Sequence, residues 1–264
     1  MTLVVTADDL GLSRGVTKGV LEAHREGIVR STSLLVTFPA SAEGAALARA
    51  ERDLEVGLHL DLVGGWPTHD PASIPSLCDE EGRFFPLPEF TKRLLTGRIR
   101  ASELAAELRA QVELARGWGT PALAWDSHRH VHLMPPVARV VAALARELGA
   151  QWIRRGRAPR TTFALRTIAI NASTVVSELA YRRLPGNSWF IDLSASRPRL
   201  DPTAVALLAT YPGVGEIATH PGYPDDDLRR VDALVDERQD DLELLTDPLL
   251  REALGHDCVV WRVR

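Results

Sequence analysis

The 264-residue chain carries 31 lysines and arginines against 35 aspartates and glutamates, a net charge of −4, so it lacks the basic footprint that nucleic-acid binding requires. Apolar residues make up 45% and charged residues 25%, which excludes a disordered chain; the length allows a substantial core, and with no linker dividing it residues 1–264 read as one domain. Cys78 and Cys258 lie far apart and make no metal or redox spacing, no basic region precedes the first apolar run, and no run is long enough to cross a bilayer, so a cytoplasmic enzyme with reduced thiols is expected.

Leu3–Ala7 reads as a buried strand, broken by Asp8-Asp9-Leu10-Gly11. Ser13 suits the N-cap of a helix with an apolar face from Val16 to Ile28, and Gly27 suits its carboxyl end. Ser31–Thr37 is a second strand, Ala42–Arg52 a helix and Glu55–Leu62 a third strand, in which alternation puts His59 and Asp61 on one face. Gly64–Pro88 has no period and reads as a long loop. Helices follow over Leu87–Leu95 and Ser102–Gly117, the second opening on Ser102, then a short strand over Ala122–Trp125 and a helix over Val137–Leu148 with Pro135 and Pro136 in its first turn. Gln151–Arg154 is a strand, and Arg155–Leu184 is basic and less patterned, with a helix over Thr174–Arg183. Strand Trp189–Leu193, helix Pro202–Ala209, strand Gly215–Thr219, a helix over Asp240–Leu254 interrupted at Pro248, and strand Val259–Val263 complete the chain. Such alternation without internal repeats predicts an α/β fold with a mainly parallel sheet.

Between a predicted strand and a predicted helix stands Asp126-Ser127-His128-Arg129-His130-Val131-His132, with three of the chain's eight histidines. This is the carboxyl end of a strand, where α/β folds place their chemistry. On extended backbone His128, His130 and His132 would point to one side. In a closed or nearly closed parallel sheet, Asp8, Asp9 and His59 converge at the same rim. Asp9, His59 and one or more of the clustered histidines then form a mixed carboxylate and imidazole set of the kind that holds a catalytic divalent ion with positions open for water and substrate. Asp8 and Asp9 would point to opposite sides unless the turn at Gly11 twists them, so one serves as ligand and the other acts on protons. His220, directly after another strand, suits a general acid. Arg154, at a strand end, is a candidate contact for an anionic or polyhydroxyl ligand.

Four segments carry a family resemblance: Thr6-Ala7-Asp8-Asp9-Leu10-Gly11-Leu12-Ser13, Gly57-Leu58-His59-Leu60, Asp126 to His132, and Thr219-His220-Pro221-Gly222-Tyr223. Taken in order across almost the whole chain, they resemble the signatures of the YdjC-like carbohydrate deacetylases, which include chito-oligosaccharide deacetylase. The resemblance implies a distorted (β/α) barrel related in mechanism to the polysaccharide deacetylases. It also implies one divalent ion, magnesium or zinc, held by Asp9, His59 and His128, with Asp8 as general base and His220 as general acid. The implied reaction removes an N-acetyl group from an amino sugar or oligosaccharide of the chitobiose type. His132 is then either a further ligand or a substrate-pocket residue, and the pocket is preferred because three protein ligands leave the ion open positions. Leu10 stands where the family often has Phe, and Arg129 where it often has Gln or His, which bears on the substrate more than on the chemistry. A barrel metallohydrolase cleaving another amide or a phosphate ester, and a non-catalytic sugar-binding homologue, are the competing readings; a homo-oligomer is left open.

Overall fold

The computed structural model describes residues 2–157, 176–194, 201–258 and 262–263. Strand β1 (Thr2–Leu10) is central: Leu3, Val4, Val5 and Ala7 are all buried, as expected of a strand covered on both faces. Around it lie β2 (Ser31–Leu34), β3 (Glu55–Leu60), β4 (Ala124–Ser127), β5 (Trp152–Ile153), β6 (Trp189–Asp192) and β7 (Val214–Thr219), in the order β5-β4-β3-β2-β1-β7-β6. Every pairing is parallel, as the alternation of strands and helices predicts.

The sheet curls until its edges approach each other. The Phe190 N–H of edge strand β6 donates to the Arg157 carbonyl beyond β5, at 2.7 Å. Across the interior, Arg154, which follows β5, reaches Glu216 on β7 at 2.9 Å. An open, flat sheet would separate these residues by the width of the strands between them, so the distorted barrel expected from the resemblance is what forms.

Helix α1 (Arg14–Arg25) starts where the sequence predicts, with Ser13 Oγ accepting the Val16 N–H at 3.2 Å, although its C-cap is Glu26 and not Gly27. Helix α2 (Ser41–Arg49) and α3 (Leu87–Leu95) sit close to their predicted ranges. Helix α4 (Ala101–Gly117) begins earlier than expected, with Arg100 at the N-cap in place of Ser102. Its inner face carries Glu103, Glu107 and Gln111, all buried. Glu107 accepts the Thr68 and His69 N–H groups, Glu103 accepts Ser76 N–H, and Gln111 bonds both the N–H and the carbonyl of Asp61. The long loop after β3 is therefore tied down by one helix, and so is the end of the strand that carries His59.

Strand β4 is two residues later than predicted and takes in Asp126 and Ser127; Ala122, expected within it, has φ +51°. Helix α5 (Pro135–Leu148) has both prolines in its first turn and ends on Gly149 in the left-handed region, φ +75°. Of the helix predicted over Thr174–Arg183, residues 176–181 are helical and 174–175 lie outside the described residues. The predicted helix over Asp240–Leu254 is two helices, Glu237–Leu245 and Pro248–Cys258. Of the predicted last strand, 259–261 lie outside the described residues, and Arg262 and Val263 belong to no strand. Among the described residues, no helix is long and apolar enough to cross a membrane.

Candidate active site

The register of β1 against β2 shifts between Ala7 and Leu10, three steps on β1 matching two on β2, so β1 bulges at its two aspartates. Asp9 takes up the distortion in the left-handed region, φ +67°, which aspartate tolerates better than most residues. The bulge overrides the strict alternation that would send the pair to opposite faces, and both side chains are buried, at 0% and 2% exposure. Asp8 accepts two bonds from Arg154, at 2.6 and 2.7 Å, and one from Ser33 Oγ at 3.1 Å. Asp9 turns Oδ1 to His128 Nδ1 at 2.9 Å and to His59 Nε2 at 3.3 Å, while its Oδ2 accepts from Arg238 Nη2 at 2.6 Å.

His59 on β3 stands in register with Asp126 on β4. Its Nδ1–H donates to Asp126 Oδ1 at 2.7 Å, and its Nε2 faces Asp9 Oδ1 at 3.3 Å. Burial alone would lower the imidazole pKa, but the Asp126 charge and hydrogen bond, with a further bond to Asp9, carry it up to about 10. A field that holds a proton this firmly also attracts a metal cation. For Asp9, burial favours the neutral acid, and the charges of His128 and Arg238 override it to hold the carboxyl well below its usual range.

His128 is the first residue after β4, and the next two, Arg129 and His130, both have left-handed φ, +53° and +54°. The backbone coils there, so the clustered histidines do not share a side as extended chain would have them. Only His128 joins Asp9 and His59; one ligand atom from each of the three lies within 4.8 Å of the others, all in buried side chains. His130 Nε2 lies 3.1 Å from Asp192 Oδ2 on β6. His132 is 0% exposed, with Nδ1 2.5 Å from Ser127 Oγ and Nε2 donating to the Arg154 carbonyl at 3.0 Å. Both its ring nitrogens are occupied by protein, so its expected place on the pocket wall is not where the fold puts it. Its pKa is lowered to about 3, first by burial and then by the charge of His130, which leaves a neutral ring pinning the loop to β5.

Arg154 is displaced from expectation in the same way. It is 0% exposed, and its nitrogens reach Asp8, Asp126 and Glu216 at 2.6 to 2.9 Å, so it lies beneath the aspartates and not on a surface that substrate would touch. His220 follows β7, whose Thr219 pairs with Ala7, and it therefore stands level with Asp8 at the rim. Its ring is 12% exposed, with Nδ1 3.9 Å from Asp192 Oδ1. Asp61, expected to share the His59 face, is instead spent on Thr37 Oγ1 and the Val63 N–H, at 2.8 and 2.9 Å.

The donor set fits a divalent ion: one carboxylate oxygen and two imidazole nitrogens converge, and Asp126 and Arg238 hold two of the three side chains from behind. Asp192, Glu216, Arg238 and Arg262 were not singled out from sequence. Glu216 offered a signal, a carboxylate inside an otherwise apolar strand, which demands a buried cation. Arg238 offered none, since its contact with Asp9 spans 229 residues.

The model of the YdjC-like protein family matches residues 2–256. A carbohydrate deacetylase of Brevibacillus brevis is 33% identical, covering 97% of this chain and 95% of its own length, and one of Halalkalibacterium halodurans is 32% identical, covering 96% and 98%. Among solved structures, a crystal structure of a candidate cellobiose-phosphate cleavage protein from Enterococcus faecalis V583 superposes with a TM-score of 0.81 at 25% identity, covering 98% of this chain and 95% of that one. With a family match over nearly its whole length and relatives equally long, the chain belongs to the YdjC-like protein family.

Proposed function

We propose that the chain is a metal-dependent carbohydrate deacetylase that hydrolyses the N-acetyl group of an amino sugar or short oligosaccharide, with a chitobiose-like sugar as the favoured substrate. The observation that carries the reading is the convergence of Asp9, His59 and His128 beside an Asp8 clamped by Arg154, in a chain whose full-length relatives are named carbohydrate deacetylases. Asp9 Oδ1, His59 Nε2 and His128 Nδ1 would hold the ion. Bound there, a divalent ion supplies a Lewis acid that polarises a carbonyl and acidifies a water.

The remaining work belongs to the chain. Asp8 accepts the proton of the water whose oxygen attacks the acetyl carbon, and Arg154 with Ser33 fixes the plane of its carboxylate. His220, from the neighbouring strand end, delivers a proton to the nitrogen as the carbon–nitrogen bond breaks. The products are acetate and the free amino sugar. Arg154 serves as a positioning residue and His132 as a structural one, so neither needs to touch the sugar. The mixed donor set suits magnesium, zinc and several other ions, and availability selects among them.

Acetate release from a panel of N-acetylated sugars, with and without chelator, tests this directly. Release that is abolished by chelator and restored by added metal is expected. Absence of acetate from every N-acetyl sugar, in protein replete with divalent ion, would overturn the assignment.

A further inference from the structure

We propose that Arg262 is a positioning residue of the metal centre, reaching into the base of the barrel to hold Asp126 so that Asp126 presents His59 to the ion. The inference rests on the metal reading above and adds a residue that the sequence motifs do not contain.

Arg262 follows the last helix, yet its side chain is 0% exposed. Its guanidinium touches four strands. Nη1 donates to Asp126 Oδ2 on β4 at 2.9 Å and lies 3.7 Å from Glu216 on β7; Nη2 donates to the Thr32 carbonyl on β2 at 2.9 Å; Nε lies 3.4 Å from Glu55 on β3. The chain makes room for it at Gly57, two residues before His59, where a Cβ would come within 2.3 Å of Nη2 and 2.7 Å of the Ala124 carbonyl.

The need for a second guanidinium follows from charge. Arg154 alone would face Asp8, Asp126 and Glu216, three fully buried carboxylates. With Arg262 added, Asp126 Oδ2 accepts from two cations, at 2.7 and 2.9 Å, and Oδ1 is left for His59 Nδ1 at 2.7 Å. Asp126 cannot rotate without breaking both bonds, so the ring it holds is fixed as well. Losing such a supporting contact behind a metal ligand typically weakens metal binding 10- to 100-fold. Beside this point, a pocket of about 280 Å³ is lined in part by Glu55, Val56, Ala124 and Val263.

The test compares wild type with Arg262→Ala and Arg262→Lys, each stripped with chelator and titrated with zinc by calorimetry, with circular dichroism to establish folding. The expected result is a roughly 10- to 100-fold weaker affinity in Arg262→Ala and a smaller loss in Arg262→Lys. Low-millimolar guanidinium chloride should restore much of the affinity of Arg262→Ala, and equal sodium chloride should not. Wild-type affinity in a folded variant, equal recovery in both salts, or no recovery in a folded Arg262→Ala overturns the proposal. Should Arg262→Ala not fold, Arg262→Lys, which keeps the charge, decides by its affinity. A second readout separates this proposal from the metal reading: the His59 Nδ1 proton resonance of the chelated protein should move in Arg262→Lys. If wild type takes up no ion, the metal reading fails, and an unmoved resonance in that variant overturns the role of Arg262 as well.

Discussion

Arg154→Met removes a buried cation while keeping most of the side chain's length, and its consequence can be worked from the contacts. Among the described residues, Asp8 would keep only the Ser33 hydroxyl at 3.1 Å, Glu216 would keep Arg262 at 3.7 Å with hydrogen bonds from Thr6 and Trp152, and Asp126 would retain Arg262 at 2.9 Å. Removing one partner from a buried ion pair costs roughly 3–5 kcal/mol. In a chain of this size each kcal/mol moves the midpoint by about 2–4 °C, so melting should fall by roughly 6–20 °C. The loss should also depend on pH with a definite sign. Burial pushes the Asp126 pKa up, and the Arg154 charge is the largest influence holding it below the usual range. Without that charge the folded-state pKa rises toward or above its unfolded value. A carboxyl with a raised folded pKa stabilises the fold at acid pH and loses that contribution as pH rises through the folded value. The wild-type carboxyl, with its depressed pKa, does the reverse. The gap between the two proteins should therefore be widest near neutrality and narrow on acidification. Thermal melts followed by circular dichroism from about pH 2 to about pH 8 measure it, because the wild-type contribution is lost only below the ordinary carboxylate range. A variant melting within about 2 °C of wild type at neutral pH, or a gap that does not change with pH, would refute the reasoning.

Asp8→Asn and His220→Gln should each spare metal binding and lower turnover by roughly two to four powers of ten, and wild-type turnover in His220→Gln would remove that residue from the mechanism. In chelated protein His59 holds a proton up to about pH 10, so metal uptake near pH 8 should release about one proton per ion and tighten about tenfold per pH unit. Calorimetry in buffers of different ionisation enthalpy measures the release, and uptake without protons contradicts the ligand assignment. His132, lowered to about 3 from 6.5, is neutral when folded; it contributes stability that is present above pH 6.5 and lost as pH falls toward 3, about 5 kcal/mol over the full range. His132→Gln should flatten part of this acid sensitivity in denaturation experiments, and an unchanged acid limb would show that other groups set it.

Local spacing was sufficient for the order of strands and helices and for the region where ligands would gather. The apolar run before Asp8, the Ser13 cap and the paired prolines before Val137 act within a few residues, and the structure keeps them. His59 and the histidine cluster after β4 could be marked for the same reason, standing at or just past a strand end where a parallel sheet gathers its loops; the choice of His128 within the cluster came from the family resemblance. Which way each side chain points was beyond local spacing. The bulge at Asp9 and the left-handed pair Arg129 and His130 replace simple alternation, sending His128 to the aspartate and His132 into the protein. Arg154 looked like a surface contact because nothing near it in sequence needs a cation; its partners lie 146, 28 and 62 residues away and become neighbours only when the sheet curls. Arg238 and Arg262 were invisible for the same reason. A buried charge is tolerated only beside its counter-charge, and that pairing is made by tertiary structure.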